Sequence, residues 1–373
     1  MIDKTQQTEL FLQKIVESIS ISDTMDEKAR TSYHAVGEWL GDGLDQYDVL
    51  IMPQGSFNLG TVIKPISEKD DYDIDLVCLL AKGSLMRLTD SQIKNSVGDR
   101  LKEHKVYREK LDKEGKRCWT LEYDEFHMDI LPCVPKNSIF SKEAHLTQIH
   151  LTQKLAQNVY QPHYSNPEGY LEWFESRMRD TLIEAKRGSR RFLACADIEK
   201  VPTYSVKTPL QKVVQLLKRH RDIKFKDNDE NAPISILITT LAAKAYSGET
   251  SLLQALTNVV EHLNDGICRI NGQCIVENPA YPGENFAEKW VDCPAKAVAY
   301  FDWQKNLKAD VELLNSHNLL GYRNKFCQCF GEKPVTTALN AVYPSGGSVM
   351  AAATSAQHHV NITKPSRPWG DVF

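Results

Sequence analysis

Residues 71–80 read DYDIDLVCLL, and the fold turns on how that stretch is interpreted. A short apolar run bounded by polar residues has the length and composition of a buried strand. Side chains alternate faces along a strand. Asp73 and Asp75 therefore share one face, with Cα atoms roughly 6.5–7 Å apart, while Ile74, Leu76 and Cys78 turn to the other. Two carboxylates so placed repel each other unless a cation sits between them. Hard oxygen ligands favour Mg²⁺ or Mn²⁺. A D-x-D on its own is more often a solvated strand edge, so the reading needs support from elsewhere in the chain.

That support lies on both sides. Downstream, FHMDILPCV (126–134) reads as a further strand, and Asp129 is its only acid. A charge flanked by apolar residues should be paired or bound to metal rather than buried alone. Brought beside Asp73 and Asp75, it completes a three-carboxylate site able to hold two metal ions about 3.5–4 Å apart. Upstream, VLIMPQGSF (49–57) is an apolar run ending at Gly55-Ser56, seventeen residues before Asp73. Glycine lets a phosphate approach the backbone, and the serine hydroxyl and the amides donate to its oxygens. Gln54, just before the pair, is a further candidate for substrate contact.

Around this centre, periodicity predicts two N-terminal helices. The first carries Leu12, Ile15, Val16 and Ile19 on one face. The second runs from about Thr24 to Leu40, with Ala29, Tyr33, Val36 and Leu40 inward and Ser22 or Asp23 as cap. KVYREKL, the turn DKEGK and RCWTLEY (105–123) read as a hairpin. After residue 165 helices dominate, over 168–187, 208–222, 233–247, 251–264, 285–316 and 318–330, with Pro294 a kink or break in the fifth. Pro209 and Pro233 suit first-turn positions. The sum is an α+β class, a mixed sheet with a helical lobe. From Tyr343 the composition is that of a loosely ordered tail.

Composition narrows the alternatives. No uninterrupted apolar run approaches the ~18–20 residues that span a bilayer. The start lacks a basic region followed by an apolar stretch, so no signal peptide is expected and a cytoplasmic location is. Nine cysteines, an odd count, form no dense framework. Cys327-x-Cys329 is too tight for a zinc knuckle and Cys268/Cys274 lacks a second pair, so reduced thiols are expected. A net charge of −4 argues against long nucleic acid as a partner, because phosphate neutralisation needs a basic surplus. A triphosphate needs only a local cationic pocket.

Gly-Ser, then D-x-D, then a third Asp on a later strand resembles the DNA polymerase β-like nucleotidyltransferase superfamily. Within it, PQGSFNLGTVIKP, DDYDIDLVCLL and HMDILPCVP are similar to the bacterial cGAS/DncV-like enzymes, the CD-NTases of anti-phage CBASS signalling. QLLKRHRDIKF, PISILITTLAAKAY, ENPAYPGENFAEKW and PSRPWG extend the likeness over nearly the whole chain. The resemblance implies a bilobal fold: N-terminal helices spanning the lobes (1–45), a nucleotidyltransferase core (46–205), a helical lobe (206–342) and a flexible tail (343–373). It implies that ATP and other NTPs are joined, with release of pyrophosphate, into a cyclic di- or trinucleotide that diffuses to a downstream effector.

The same resemblance assigns Gly55 and Ser56 to the phosphate cradle, and Asp73, Asp75 and Asp129 to catalysis and to two Mg²⁺ or Mn²⁺ ions. It aims Lys218 and Ser235 at the triphosphate. On residues alone, Lys218 also fits a lysine snorkelling from an apolar helix face, and Ser235 fits a simple cap. Lys186-Arg187 and Arg190-Arg191 fit either the cleft, a regulatory nucleotide or a solvated helix face. Family members act alone, with a HORMA-type protein activator, or after conjugation through the C-terminus. No zinc-bearing insertion of the kind that binds DNA in the vertebrate enzyme is present. The triad alone does not separate a cyclic oligonucleotide synthase from a linear polymerase or an adenylyltransferase acting on RNA, protein or a small molecule. A nucleotide-binding regulator with a dead site is a third reading, disfavoured by the intact acids.

Overall fold

A computed structural model of the chain describes residues 3–67, 71–142, 144–157, 159–181 and 206–344. Lys186-Arg187, Arg190-Arg191 and the tail from residue 345 lie outside the described residues. Elements are numbered over the described part.

The chain enters through α1 (Lys4–Ile19), started by a capping box in which the Asp3 carboxylate accepts from the Gln6 amide. Helix α2 (Asp23–Gly43) follows, with the Ser22 hydroxyl accepting from the Met25 amide. The two helices serve different cores. Phe11, Leu12, Ile15, Val16 and Ile19 of α1 join the large helical cluster, whereas Ala29, Tyr33, Val36 and Leu40 of α2 cover one face of the sheet.

The sheet contains β1 (Val49–Gln54), β2 (Tyr72–Leu80), β3 (Trp119–Glu122), β4 (Phe126–Pro135), β5 (Ile149–Ala156) and β6 (Val159–Ser165). Its order is β1-β2-β4-β5-β6, with β3 also paired to β4. Only β2 and β4 run parallel; the other pairs are antiparallel. On one face Ile74, Leu76, Cys78, Met128 and Ile130 meet α2 and α4 (Asp90–Glu103). On the other, Val77, Leu79, Leu131 and Cys133 form a small apolar cluster with Met52 and Cys118. Strand alternation puts Asp73, Asp75 and Asp129 on this second face, beyond its apolar end.

A short helix, α3 (Gly55–Leu59), links β1 to the segment before β2. The helical part comprises α6 (Pro167–Arg177), α7 (Pro209–Lys224), α8 (Ser235–Ala245), α9 (Leu252–His262), α10 (Lys289–Asp292), α11 (Pro294–Asn315), α12 (Arg323–Phe330) and α13 (Glu332–Val342), with a small hairpin β7 (Cys268–Ile270) and β8 (Gln273–Ile275). Pro209 and Pro294 occupy first-turn positions. Pro294 divides the 285–316 segment into α10 and α11, as its missing amide requires. Among the described residues no helix is long and apolar enough to cross a membrane. The eight described cysteines are free thiols, four of them buried.

Three expectations fail. The simplest concerns Pro233, which lies before the N-cap of α8 and not in its first turn. Residues 105–123 are not a regular hairpin: Lys105–Lys110 forms the helix α5, only the antiparallel bridge Leu111–Leu121 remains of the expected pairing, and β3 pairs along its length with β4. KVYREK is rich in helix formers, and one inward residue, Tyr107, is enough to seat it. Helix α12 also begins at Arg323, later than 318.

Candidate active site

The acidic end of the sheet is built by register. Across the parallel pair Asp75 stands opposite Asp129, and Asp73 opposite His127. Across the antiparallel pair Asp75 stands opposite Gln54. Two carboxylates distant in sequence thus occupy neighbouring positions on one face, with a third two residues along. Asp75 is 4% exposed and Asp129 2%.

Gly55 turns the chain at the end of β1 with φ +65, a left-handed conformation that favours glycine. A Cβ there would lie 1.9 Å from Asp75 Oδ2. The backbone of the Gly55-Ser56 turn therefore packs directly on the central carboxylate. Any side chain at position 55 would displace it.

The electrostatics are unfavourable as they stand. Burial, then Asp129, then Asp73 raise the Asp75 pKa well above the usual carboxylate value, and Lys218 only partly opposes them. Asp75 Oδ1 is buried with no hydrogen-bond partner, as is Gln54 Oε1. Asp129 is anchored by Thr120, whose hydroxyl donates to Oδ1 at 2.6 Å from the opposite position on β3. A buried carboxylate with an orphan oxygen facing two like charges is a site that a divalent cation would relieve. The donor set fits one.

From the helical side, Lys218 lies close enough to Asp73 and Asp75 to feel their charge, and Ser235 is linked to its helix through Arg221. Lys218, on α7, is buried and donates to the Thr61 carbonyl at 3.2 Å, five residues past Ser56. Burial and then Arg221 lower its pKa to about 8, while Asp222, Asp73 and Asp75 pull the other way. Arg221, one turn further along α7, donates through Nη1 to the Ser235 hydroxyl and the Pro233 carbonyl, each at 3.0 Å. Ser235 is the first residue of α8, which has no side-chain cap. Lys218, Arg221 and the open amide end of α8 thus form one cationic cluster, in which Arg221 is also paired with Asp222 at 2.6 Å.

Arg221 and Thr120 were not among the sequence candidates. Arg221 was findable, because it lies three residues after Lys218 on a helix and shares its face. Thr120 gave no signal: a threonine in a strand is ordinary, and its role depends on the register between β3 and β4.

A second group of ligand-type side chains is buried in the helical part. His220, Asp310 and Cys329 place ligand atoms within 4.8 Å of one another. Trp303 Nε1 donates to His220 Nδ1 at 3.0 Å, which fixes the imidazole proton on Nε2. Nε2 donates to Asp310 Oδ2 at 3.1 Å, Cys329 Sγ donates to the same oxygen at 3.3 Å, and Lys325 Nζ meets Oδ1 at 2.9 Å. Burial pushes the Asp310 pKa up, but hydrogen bonds from His220, Lys325 and Cys329 outweigh it, and the net shift is down. This is a closed hydrogen-bond network: both ring nitrogens of His220 and both oxygens of Asp310 are engaged.

A carboxylate-bearing end of the sheet, a Gly-Ser turn packed on it and a cationic helix end together define a nucleotidyltransferase core. Comparison with known proteins agrees. Residues 49–132 match the family model of the cyclic GMP-AMP synthase DncV-like nucleotidyltransferase domain. Over 346 residues the chain is 32% identical to a c-di-GMP synthase of Roseivirga ehrenbergii, covering 90% of this chain and 87% of that protein. It is 24% identical over 311 residues to the cyclic dinucleotide synthase CdnG of Bradyrhizobium diazoefficiens, covering 78% and 71%. Its fold matches the structure of that CdnG in complex with GTP with a TM-score of 0.68 at 21% identity, over 90% of this chain and 98% of the other. The Vibrio cholerae DncV cyclic AMP-GMP synthase in complex with a linear intermediate matches with a TM-score of 0.52 at 15% identity, over 90% and 89%. The chain belongs to the cGAS/DncV-like nucleotidyltransferases, the CD-NTases.

Proposed function

We propose that this nucleotidyltransferase joins GTP into a cyclic dinucleotide with release of pyrophosphate. The observation that carries the reading is the register of Asp75 and Asp129 across β2 and β4, with the Gly55 backbone packed on Asp75. GTP is favoured over the ATP expected from sequence because a relative covering most of the chain is named a c-di-GMP synthase.

Asp73, Asp75 and Asp129 would hold a pair of Mg²⁺ or Mn²⁺ ions, which supply neutralising charge at the triphosphate and a lowered pKa for the attacking hydroxyl. The chain's own residues do the rest. The Gly55-Ser56 turn receives phosphate oxygens through backbone amides. Lys218, Arg221 and the amide end of α8, with Ser235, bind the β- and γ-phosphates and stabilise the departing pyrophosphate. Thr120 holds the Asp129 carboxylate in one orientation. A ribose hydroxyl of one nucleotide attacks the α-phosphate of the next, the bond to the bridging oxygen of pyrophosphate breaks, and the hydroxyl proton is taken up at the carboxylate cluster. A second, intramolecular attack closes the ring. Catalysis is mainly positioning and charge stabilisation.

In this reading the cyclic product diffuses to an effector in cytoplasmic anti-phage signalling, with or without a protein activator or conjugation at the tail. Domain limits at 45/46, 205/206 and 342/343 are proposed with it, although α1 and α6 contribute to the helical core.

The test is mass spectrometry of products from all four NTPs with Mg²⁺ and, separately, Mn²⁺, before and after phosphatase. A phosphatase-resistant guanine dinucleotide is expected. A trimmed ladder would instead make the chain a linear polymerase, and an adenine-containing ring would return ATP to the substrates.

A further inference from the structure

Helix α7 carries an unusual stripe. Gln211, Gln215, Lys218 and Arg219, spaced i, i+4, i+7 and i+8, are all buried, on a helix that otherwise buries Leu210, Val213, Val214, Leu216 and Leu217. Each of the four donates to main-chain carbonyls of one segment, 59–65, made up of the last residue of α3 and the irregular chain that follows it. Gln211 Nε2 reaches Leu59 O at 2.9 Å, Gln215 Nε2 reaches Val62 O at 2.5 Å, and Lys218 reaches Thr61 O. Arg219 Nη2 reaches Lys64 O at 2.5 Å and Pro65 O at 3.4 Å.

The amide orientation of Gln211 is fixed independently, because its Oε1 accepts from the Thr208 backbone N–H at 2.9 Å in the capping box of α7. The segment is also held by its own side chains, Leu59 and Ile63 in the helical core and Val62 in the core under the sheet. The Thr61 amide donates back to Ser56 O at 2.9 Å, and the Lys64 amide to Ile19 O at 2.7 Å. Buried carbonyls outside a helix or sheet need such donors. Here one helix supplies them, and that helix also carries Lys218 and Arg221.

We infer that Gln211 and Gln215 are positioning residues that set the spacing between the Gly55-Ser56 turn and the cationic cluster of Lys218, Arg221 and Ser235. The inference rests on the proposed polymerisation of nucleotides at that site. A triphosphate bridging turn and cluster places its α-phosphate over the carboxylates only if the two are held at a fixed distance. Side-chain amides reading main-chain carbonyls fix that distance together with the packing of Leu59, Val62 and Ile63.

The variants Gln211→Met and Gln215→Met keep side-chain length and remove the donor. Gln304→Met serves as control, since Gln304 is a buried glutamine of α11 donating to Val260 O at 3.4 Å, remote from the turn. Each protein is assayed for kcat and KM with GTP, for melting temperature, and by hydrogen–deuterium exchange. The expected result is a fall in kcat of about 10- to 100-fold for the Gln211 and Gln215 variants, with KM little changed because the cationic cluster is intact. Peptides covering 59–65 exchange faster while α7 stays protected, and the control loses only thermal stability. Should the Met variants not fold, Arg219→Lys is expected to raise exchange at Lys64 and lower kcat in the same way.

Wild-type kcat together with unchanged exchange over 59–65 would overturn the inference, as would an equal kcat loss in the control. If the wild-type protein forms no product from any NTP, the polymerisation reading fails instead. The exchange measurement still shows in that case whether the clamp exists.

Discussion

Two buried clusters of ionisable side chains sit in this molecule, and they differ in one respect. In the helical part, Asp310 receives hydrogen bonds from His220, Cys329 and Lys325 and is held below the usual carboxylate range despite its burial. At the acidic end of the sheet, Asp75 is raised by burial and by Asp129 and Asp73, and one of its oxygens has no partner. Residue types alone would rank the His-Asp-Cys group as the better metal site. Hydrogen-bond accounting reverses that order. A closed network stabilises the fold, whereas an open one with excess like charge is held for something that arrives later.

The comparison breaks most visibly if the acids are neutralised. Asp73→Asn, Asp75→Asn and Asp129→Asn are each expected to cut nucleotide joining by about a thousandfold or more, matching the several kcal/mol that metal-held charge contributes. Pyrophosphate release and product chromatography measure this. Asp310→Ala is expected to act on stability instead. It strands the His220, Cys329 and Lys325 donors and costs about 2–4 kcal/mol in urea denaturation. Activity of the folded fraction and its metal requirement stay unchanged.

Lys218→Met sharpens the cationic side. Loss of one charged hydrogen bond to the triphosphate is expected to lower kcat/KM by about 10- to 100-fold.

The smallest effect has the opposite sign to most substitutions. Without metal, Asp75→Asn is expected to raise the melting temperature by about 1–2 °C, corresponding to roughly 1 kcal/mol. The folded pKa of Asp75 lies above the ordinary 3.8, so folding favours its protonated form. That contribution is present in acid and is lost as pH rises through the folded value. The advantage of Asn over Asp should therefore grow as pH rises through the folded value and vanish toward pH 3.8.

How much of this was legible in the sequence depended on range. The strands around Asp73, Asp75 and Asp129 stood out because apolar runs and alternation are local properties. Strands β5 and β6 did not, because IHLTQKLA and VYQPHYS mix polar and apolar residues and become strands through pairing with β4 and each other. Helix α5 was misread because Val106 and Tyr107 favour strands, while its charged neighbours favour helix. At the site, the acids and Gly55 announced themselves by type and spacing. Thr120 was hidden because its partner is set by register, and Gln211 and Gln215 because a glutamine on a helix ordinarily faces water.

The most direct measurement of the central claim is Mn²⁺ binding in the presence of a non-hydrolysable GTP analogue, followed by electron paramagnetic resonance. The account predicts binding in the wild-type protein, its loss in Asp75→Asn, and full retention in His220→Ala and Cys329→Ser. Binding that survives Asp75→Asn but disappears with His220→Ala would contradict it.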